Sequence, residues 1–316
     1  EKLMKPVTRH FAGHRGAKLA LYDYSSATSG RIGVLFCHGN GFNARSLEPV
    51  IRRVVGATCF AFDQRSHGSS ETHAPPYPWS ALAEDVAAAH GEIAARFDCV
   101  VGVGHSMGGY GLTLAALNHP SMFQHLVLVD PVIGPPVFYR EDPFFGSEHF
   151  AAKRKRTWAS PEHMFATLRS KGGYKLWTEE SMRLYCEHGL RRRQGADGGA
   201  EEPFELCCPP WVEAHNYEQG CRPEARIHER LGELKAPVTL LRARSMLEAS
   251  MESGKLDMST SPTDPDLASL LPTCEEHYLP HLSHFMPMQS PELVADVVNA
   301  VVAKLGGGEV RQVARL

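Results

Sequence analysis

The chain has 316 residues, of which 43% are hydrophobic and 22% charged, and its formal net charge is -3. This composition is too apolar for a disordered protein, and the length suits one large α/β domain with an insertion. The charge balance provides no sequence-wide positive field, and no apolar run approaches the ~18 residues that span a bilayer, so we expect a small-molecule partner, no nucleic acid and no membrane span.

Apolar runs bounded by turn residues alternate with helical patterns along the chain. This alternation predicts a mostly parallel sheet covered by helices on both faces. Strands are predicted near residues 17–24, 33–38, 58–63, 99–105, 125–130, 238–243 and 277–279. Apolar residues at three- and four-residue intervals predict a helix between Trp79 and Phe97. A last helix is predicted from Pro291 to Leu305, with Ser290 as its N-cap.

The strand signal disappears between Pro131 and Leu234, where helical, charged and proline-rich stretches follow. We therefore predict a core of residues 1–133 and 235–316, with a helical cap of residues 134–234 inserted into it. Residues 194–202 lack apolar anchors and are expected to form a mobile loop. The cap is rich in aromatic residues, which favours a pocket for an apolar acyl or alkyl group, although such residues also build ordinary cores.

Eight cysteines are scattered without the spacing of a disulfide framework, which favours a reducing, intracellular and cytoplasmic environment. The adjacent Cys207 and Cys208, with Cys221 nearby, lack the C-x-x-C spacing of zinc sites. No metal and no organic cofactor is therefore expected. The last three residues, Ala314-Arg315-Leu316, fit the chemistry of a peroxisomal import signal, so the peroxisome is the alternative location.

The strongest chemical signal is Gly104-His105-Ser106-Met107-Gly108, between a β-branched run and a helical stretch. A G-x-S-x-G sequence at a strand-to-helix turn is typical of a nucleophile elbow, in which the serine is exposed above the sheet. The alternative is a glycine-rich turn with an incidental serine. Ser106 is therefore the predicted nucleophile.

A serine hydroxyl needs a base to take its proton, and His284 lies on a loop after the last predicted strand, just before the final helix. His281 is the local competitor, and we favour His284 because it directly precedes Phe-x-Pro. The tetrahedral oxyanion needs backbone N–H donors. One is predicted at Met107 and the second at Asn40, with Gly41 as the alternative.

The sequences His38-Gly39-Asn40-Gly41, Asp63-x-Arg65-Ser66-His67-Gly68, the elbow and Ser283-His284-Phe285 occur in the order seen in the α/β-hydrolase superfamily. The chain resembles that superfamily across residues 38–288. The resemblance implies an α/β-hydrolase fold with a mostly parallel central sheet, and a Ser-His-acid triad. Ser66 stands where the family pattern has glycine, and Asp63, Arg65 and His67 are interpreted as scaffold residues that pair locally.

The acid departs from the usual family pattern, because residues 238–245 end without a carboxylate after the seventh strand. A branch that includes fungal peroxisomal acyl-CoA hydrolases is similar in placing its acid after the sixth strand, where Asp130 stands. We favour Asp130 over Glu248, and a structural strand-end turn is the alternative role for Asp130.

These residues predict a serine hydrolase, an esterase or thioesterase, that cleaves an ester or thioester of a mainly apolar acyl group through an acyl-enzyme. Carbon–carbon bond hydrolysis and cofactor-free perhydrolysis on the same triad are the alternatives, since fold alone does not choose the reaction. A non-catalytic ligand-binding homologue is the alternative from another class. The basic runs 153–156 and 191–193 either meet the phosphates of a coenzyme A thioester or form solvated faces.

Overall fold

The computed structural model describes residues 5–25, 30–142, 149–193, 203–253, 257 and 259–307. Its strands are β1 Val7–Ala12, β2 Lys18–Asp23, β3 Ile32–Cys37, β4 Thr58–Asp63, β5 Cys99–His105, β6 His125–Val129, β7 Thr157–Trp158, β8 Leu190–Arg192, β9 Phe204–Leu206, β10 Val238–Arg242 and β11 Cys274–Tyr278. Its α-helices are α1 Glu48–Ile51, α2 Ser80–Gly91, α3 Met107–Asn118, α4 Pro161–Leu168, α5 Glu179–His188, α6 Pro210–Gly220, α7 Met246–Ser253, α8 Leu267–Leu270, α9 Met286–Gln289 and α10 Pro291–Leu305.

Eight strands form the central sheet in the order β1-β2-β4-β3-β5-β6-β10-β11. The pairs β1–β2 and β2–β4 are antiparallel, and the remaining pairs are parallel. Every residue of β3, β4 and β6 is buried, as expected for parallel strands that are covered on both faces. The prediction of a mostly parallel, helix-covered sheet is confirmed.

Two apolar clusters cover the two faces of this sheet. One includes α10, whose residues Val294, Val298 and Val302 are almost fully buried. The other includes α2 and α3, where Leu82 and Leu112 are buried. Because both faces are closed in this way, the carboxyl edge of the parallel strands is where loops can gather side chains for chemistry.

The segment between β6 and β10 differs from the sequence prediction. It contains α4, α5 and α6, but also a three-stranded antiparallel sheet in the order β7-β9-β8. The prediction that strands are absent there was wrong, because strands of two or three residues are too short to show an alternating pattern. The predicted loop 194–202 falls among residues outside the described part.

Other elements also differ from the prediction, including β11, which begins at Cys274 instead of residue 277. Strand β1 was not predicted, because it is an edge strand in which only Phe11 is buried. Helix α2 ends at Gly91 instead of continuing to Phe97, and a 3-10 turn at Ala94–Arg96 follows it. No helix in the described ranges is both long and apolar enough to cross a bilayer.

Candidate active site

Ser106 lies between the end of β5 and the start of α3, with a φ of 56°. That left-handed conformation is unusual for a residue with a side chain. A Cβ atom on Gly108 would lie 2.3 Å from the carbonyl oxygen of Cys37, and one on Gly104 would lie 2.7 Å from the Gly109 Cα. The turn is therefore tight enough to require glycine on both sides of the serine.

The ring of His284 bridges Ser106 and Asp130. Its Nε2 lies 3.0 Å from Ser106 Oγ, and its Nδ1 lies 2.9 Å from Asp130 Oδ2. The carboxylate can only accept a hydrogen bond when ionised, so it selects the Nδ1–H tautomer and leaves the Nε2 lone pair facing the serine hydroxyl. Chemically, this arrangement can take the proton from Ser106 Oγ.

Asp130 follows β6 directly, has a φ of 48° and is fully buried. Its Oδ1 accepts hydrogen bonds from the backbone N–H of Ala243 at 2.9 Å and from Ser261 Oγ at 2.7 Å. These two donors leave Oδ2 directed at His284. Glu248, the alternative acid, is exposed on α7.

The loop after β3 carries the predicted second oxyanion donor. The backbone N–H of Gly41 donates to His67 Nε2 at 2.9 Å, so that group is already engaged. The N–H of Asn40 makes no hydrogen bond to another described residue, and Asn40 lines the same cavity as Ser106. Met107 is the first residue of α3, where backbone N–H groups lack intrahelical partners.

Three buried histidines, in their neutral forms, hydrogen-bond to the strands and loops around Ser106. Burial lowers the pKa of His38 to about 4 and that of His67 to about 3. Burial also lowers the pKa of His105 well below its usual value. The neutral ring of His105 donates from Nε2 to the backbone oxygen of His284 at 2.8 Å. His105 therefore anchors the loop that carries His284.

The D-x-R-x-H-G turn is structural. Arg65 forms two hydrogen bonds of 2.7 Å to the carboxylate of Asp85, which lies on α2. Ser66 has a φ of 65°, which explains why the family pattern has glycine there. His67 has a role that the sequence did not indicate, because it accepts from Gly41 and so fixes the loop next to Asn40.

A cavity of about 570 Å³ opens beside Ser106 and His284. Most of its wall is apolar. The apolar and aromatic side chains of its wall include Phe42, Val132, Val137, Phe138, Phe150, Tyr174, Tyr217, Met246, Pro262 and Phe285. Two further aromatic residues of the 134–234 segment, Phe144 and Phe145, lie outside the described residues.

One corner of the cavity is charged. Arg154 forms an ion pair with the buried carboxylate of Glu213 and donates to the hydroxyls of Tyr185 at 2.7 Å and Tyr174 at 3.3 Å. Arg154 is therefore paired within the cavity wall, whereas Lys153, Lys155 and Arg156 are exposed, and contact of this run with a phosphate stays a prediction. In the other basic run, Arg191 pairs with Glu205. The Arg154–Glu213 contact was missed because 59 residues separate the partners.

Within the described residues, no three His, Cys, Asp or Glu side chains come together in a way that could hold a metal ion. Cys207 and Cys208 are buried free thiols. The tripeptide Ala314-Arg315-Leu316 lies outside the described part of the chain.

Comparison with known proteins gives consistent results. The model of the alpha/beta hydrolase family matches residues 34–297. An abhydrolase domain-containing protein, ACTT2 of Alternaria alternata, is 23% identical over 219 residues, which cover 63% of this chain and 81% of that protein. The 2-(acetamidomethylene)succinate hydrolase of Mesorhizobium japonicum is 25% identical over 256 residues, covering 79% and 83%.

Solved structures give the same fold. The peroxisomal alpha-beta-hydrolase Lpx1 of Saccharomyces cerevisiae superposes with a TM-score of 0.71 at 16% identity, covering 100% of this chain and 94% of that chain. A thioesterase domain from the curacin biosynthetic pathway has a TM-score of 0.69 at 15% identity, covering 93% and 99%. At these identities the likeness shows the fold alone, and the predicted α/β-hydrolase fold is confirmed.

Proposed function

Because this chain belongs to the α/β hydrolase family, we propose that it hydrolyses a carboxylic ester or thioester through a triad of Ser106, His284 and Asp130. The observation that carries the proposal is the unbroken line of contacts from Asp130 Oδ2 to His284 Nδ1, and from His284 Nε2 to Ser106 Oγ. All three residues are at least nine-tenths buried, yet Ser106 and His284 line the cavity.

In the proposed reaction, His284 Nε2 takes the Ser106 proton as Oγ attacks the acyl carbon. The N–H groups of Met107 and Asn40 stabilise the oxyanion that forms. Collapse of this intermediate breaks the bond to the alcohol or thiol, which leaves with the proton from His284. Water then loses a proton to His284 and attacks the acyl-enzyme, which releases a carboxylic acid and returns the proton to Ser106. Asp130 stays ionised and stabilises the imidazolium in both half-reactions.

We further propose that residues 134–234 act as a cap over the core and select the acyl group. Five members of the cavity wall named above, Val137, Phe138, Phe150, Tyr174 and Tyr217, come from this segment. A volume of about 570 Å³ falls within the range of small-molecule sites, and the aromatic wall suits a mainly apolar acyl group. The substrate is a small molecule, and the mechanism uses no cofactor.

The substrate class is tested with a panel of p-nitrophenyl esters and acyl-CoA thioesters of increasing chain length. We expect kcat/KM to rise with acyl length until the cavity is filled, and Ser106→Ala to abolish turnover of every member. A fluorophosphonate probe that leaves Ser106 unmodified in a folded, inactive protein would favour a non-catalytic ligand-binding homologue. A cleaved β-diketone in an enzyme inactive on both ester classes would favour carbon–carbon bond hydrolysis instead.

A further inference from the structure

Helix α6 of the 134–234 segment is tied to the loop that carries the proposed oxyanion donor. The side chain of Asn216 donates from Nδ2 to Asn40 Oδ1 at 2.9 Å. The side chain of Asn40 in turn donates from its own Nδ2 to the backbone oxygen of Glu213 at 2.9 Å. Both ends of the Asn40 amide are therefore held by one helix, across 173 and 176 residues of sequence.

The directions of these hydrogen bonds follow from simple chemistry. A backbone carbonyl can only accept, so the group that Asn40 presents to Glu213 must be its NH2. The oxygen of Asn40 then faces Asn216, which must present its own NH2 group. Asn216 is only 1% exposed, and its side chain lies beside the hydroxyl of Tyr77. A buried amide is stable only where it is hydrogen-bonded, and the bond that its NH2 group makes is the donation to Asn40.

A third contact comes from the same helix. Gly41 has a φ of 77°, and a Cβ atom there would lie 2.7 Å from the carboxylate carbon of Glu213. Glu213 is itself held by Arg154. Because His67 holds the Gly41 N–H from the core side, the loop is fixed between the core and α6, and its Asn40 N–H is left for a ligand.

We propose that Asn216 is a positioning residue, which holds Asn40 so that its backbone N–H points at the oxyanion formed on Ser106. The inference rests on the proposed function and deepens it, because it makes α6 part of the catalytic apparatus as well as a wall of the cavity. An oxyanion donor contributes mainly in the transition state, so losing its alignment lowers kcat more than it raises KM.

The test uses the full chain with Asn216→Asp, which keeps the side-chain volume but faces Asn40 Oδ1 with an acceptor. Asn216→Ala serves as a second variant in case the buried carboxylate prevents folding. Glu218→Gln is the matched control, because Glu218 lies on the same helix, pairs with Arg222 and does not line the cavity. Active sites are counted with a fluorophosphonate, and binding of an alkyl boronic acid, which forms a tetrahedral adduct on the serine, is measured beside kcat and KM.

We expect Asn216→Asp or Asn216→Ala to lower kcat by about 10- to 100-fold, somewhat less than loss of a whole oxyanion donor. Boronate affinity should fall in parallel, KM should change little, and Glu218→Gln should match the wild type. The double variant Asn40→Ala/Asn216→Ala should be no slower than the slower single variant, because both changes break the same contact.

Equal kcat per titrated site in wild type and folded Asn216 variants would overturn the positioning role while leaving the proposed hydrolysis intact. Losses that multiply in the double variant would also overturn it, since they would show independent actions. A wild-type enzyme that turns over neither esters nor thioesters and does not bind the boronate would overturn both proposals.

Discussion

Replacing Asp130 with asparagine changes one atom and should reverse the hydrogen-bond direction at His284. Ala243 N–H and Ser261 Oγ both donate to Asp130 Oδ1, so the asparagine oxygen must stay with them. The asparagine NH2 group then takes the place of Oδ2 and faces His284 Nδ1. An NH2 group favours the tautomer with the proton on Nε2, which directs an N–H at Ser106 and leaves no lone pair to accept its proton.

The expected loss follows from this tautomer change. In serine proteases the same exchange lowers kcat by about 10⁴, which corresponds to about 5.5 kcal/mol in the activation free energy. Asp130 is fully buried and contacts His284 Nδ1 directly at 2.9 Å, so we expect a loss of that order. Glu248→Gln is the control, because Glu248 is exposed on α7, and it should leave kcat/KM unchanged.

The assay is steady-state hydrolysis of the best p-nitrophenyl ester per mole of folded protein, with folding checked by circular dichroism. A decrease below tenfold for Asp130→Asn, together with a large decrease for Glu248→Gln, would refute this assignment. The acid would then lie after β10, as in most of the family.

Three further outcomes are expected. Gly108→Ala should lower the free energy of unfolding by about 1–3 kcal/mol and remove most activity, because its Cβ would lie 2.3 Å from the Cys37 oxygen. Gly111→Ala on the same helix is the control and should be tolerated, because its Cβ would meet its nearest neighbour at 3.5 Å. Urea unfolding of both variants measures the difference. Burial lowers the pKa of His67 to about 3, so below pH ~6.5 the unfolded chain binds a proton that the native chain does not, and the free energy of unfolding decreases as the pH is lowered. His67→Gln should make this decrease shallower by about 1.4 kcal/mol per pH unit between about pH 4.5 and 6. An unchanged slope would contradict the pKa shift. A fluorescent protein ending in residues 305–316 should become punctate in a eukaryotic cell and diffuse on deletion of Leu316, while diffuse fluorescence of the intact fusion would remove the peroxisomal hypothesis.

Local sequence patterns predicted the elements that depend on neighbouring residues alone, which are the buried strands and the tight turn at Ser106. Buried parallel strands appear as continuous apolar runs, so the bounds of β4 and β5 were predicted to the residue. The elbow was visible because the tight turn admits only glycine two residues before and two residues after Ser106. Edge strand β1 and the short strands β7 to β9 were missed, since they carry too few buried residues to show a period.

Contacts between distant segments could not be predicted from one sequence. The acid was assigned partly by resemblance, because no local pattern shows which carboxylate reaches His284. Ser261, which binds Asp130 across 131 residues, gave no signal. The link from Asn216 to Asn40 likewise depends on how α6 packs against the core, and the sequence predicted only that a cap would be present.

Mass spectrometry of the protein after reaction with a fluorophosphonate tests the central proposal most directly. We expect one adduct per chain, located on Ser106, formed at the rate at which ester hydrolysis is lost. Ser106→Ala should remain folded, with no adduct and no turnover. Near-wild-type turnover by folded Ser106→Ala, or an inactivating adduct on another residue, would contradict the proposed mechanism.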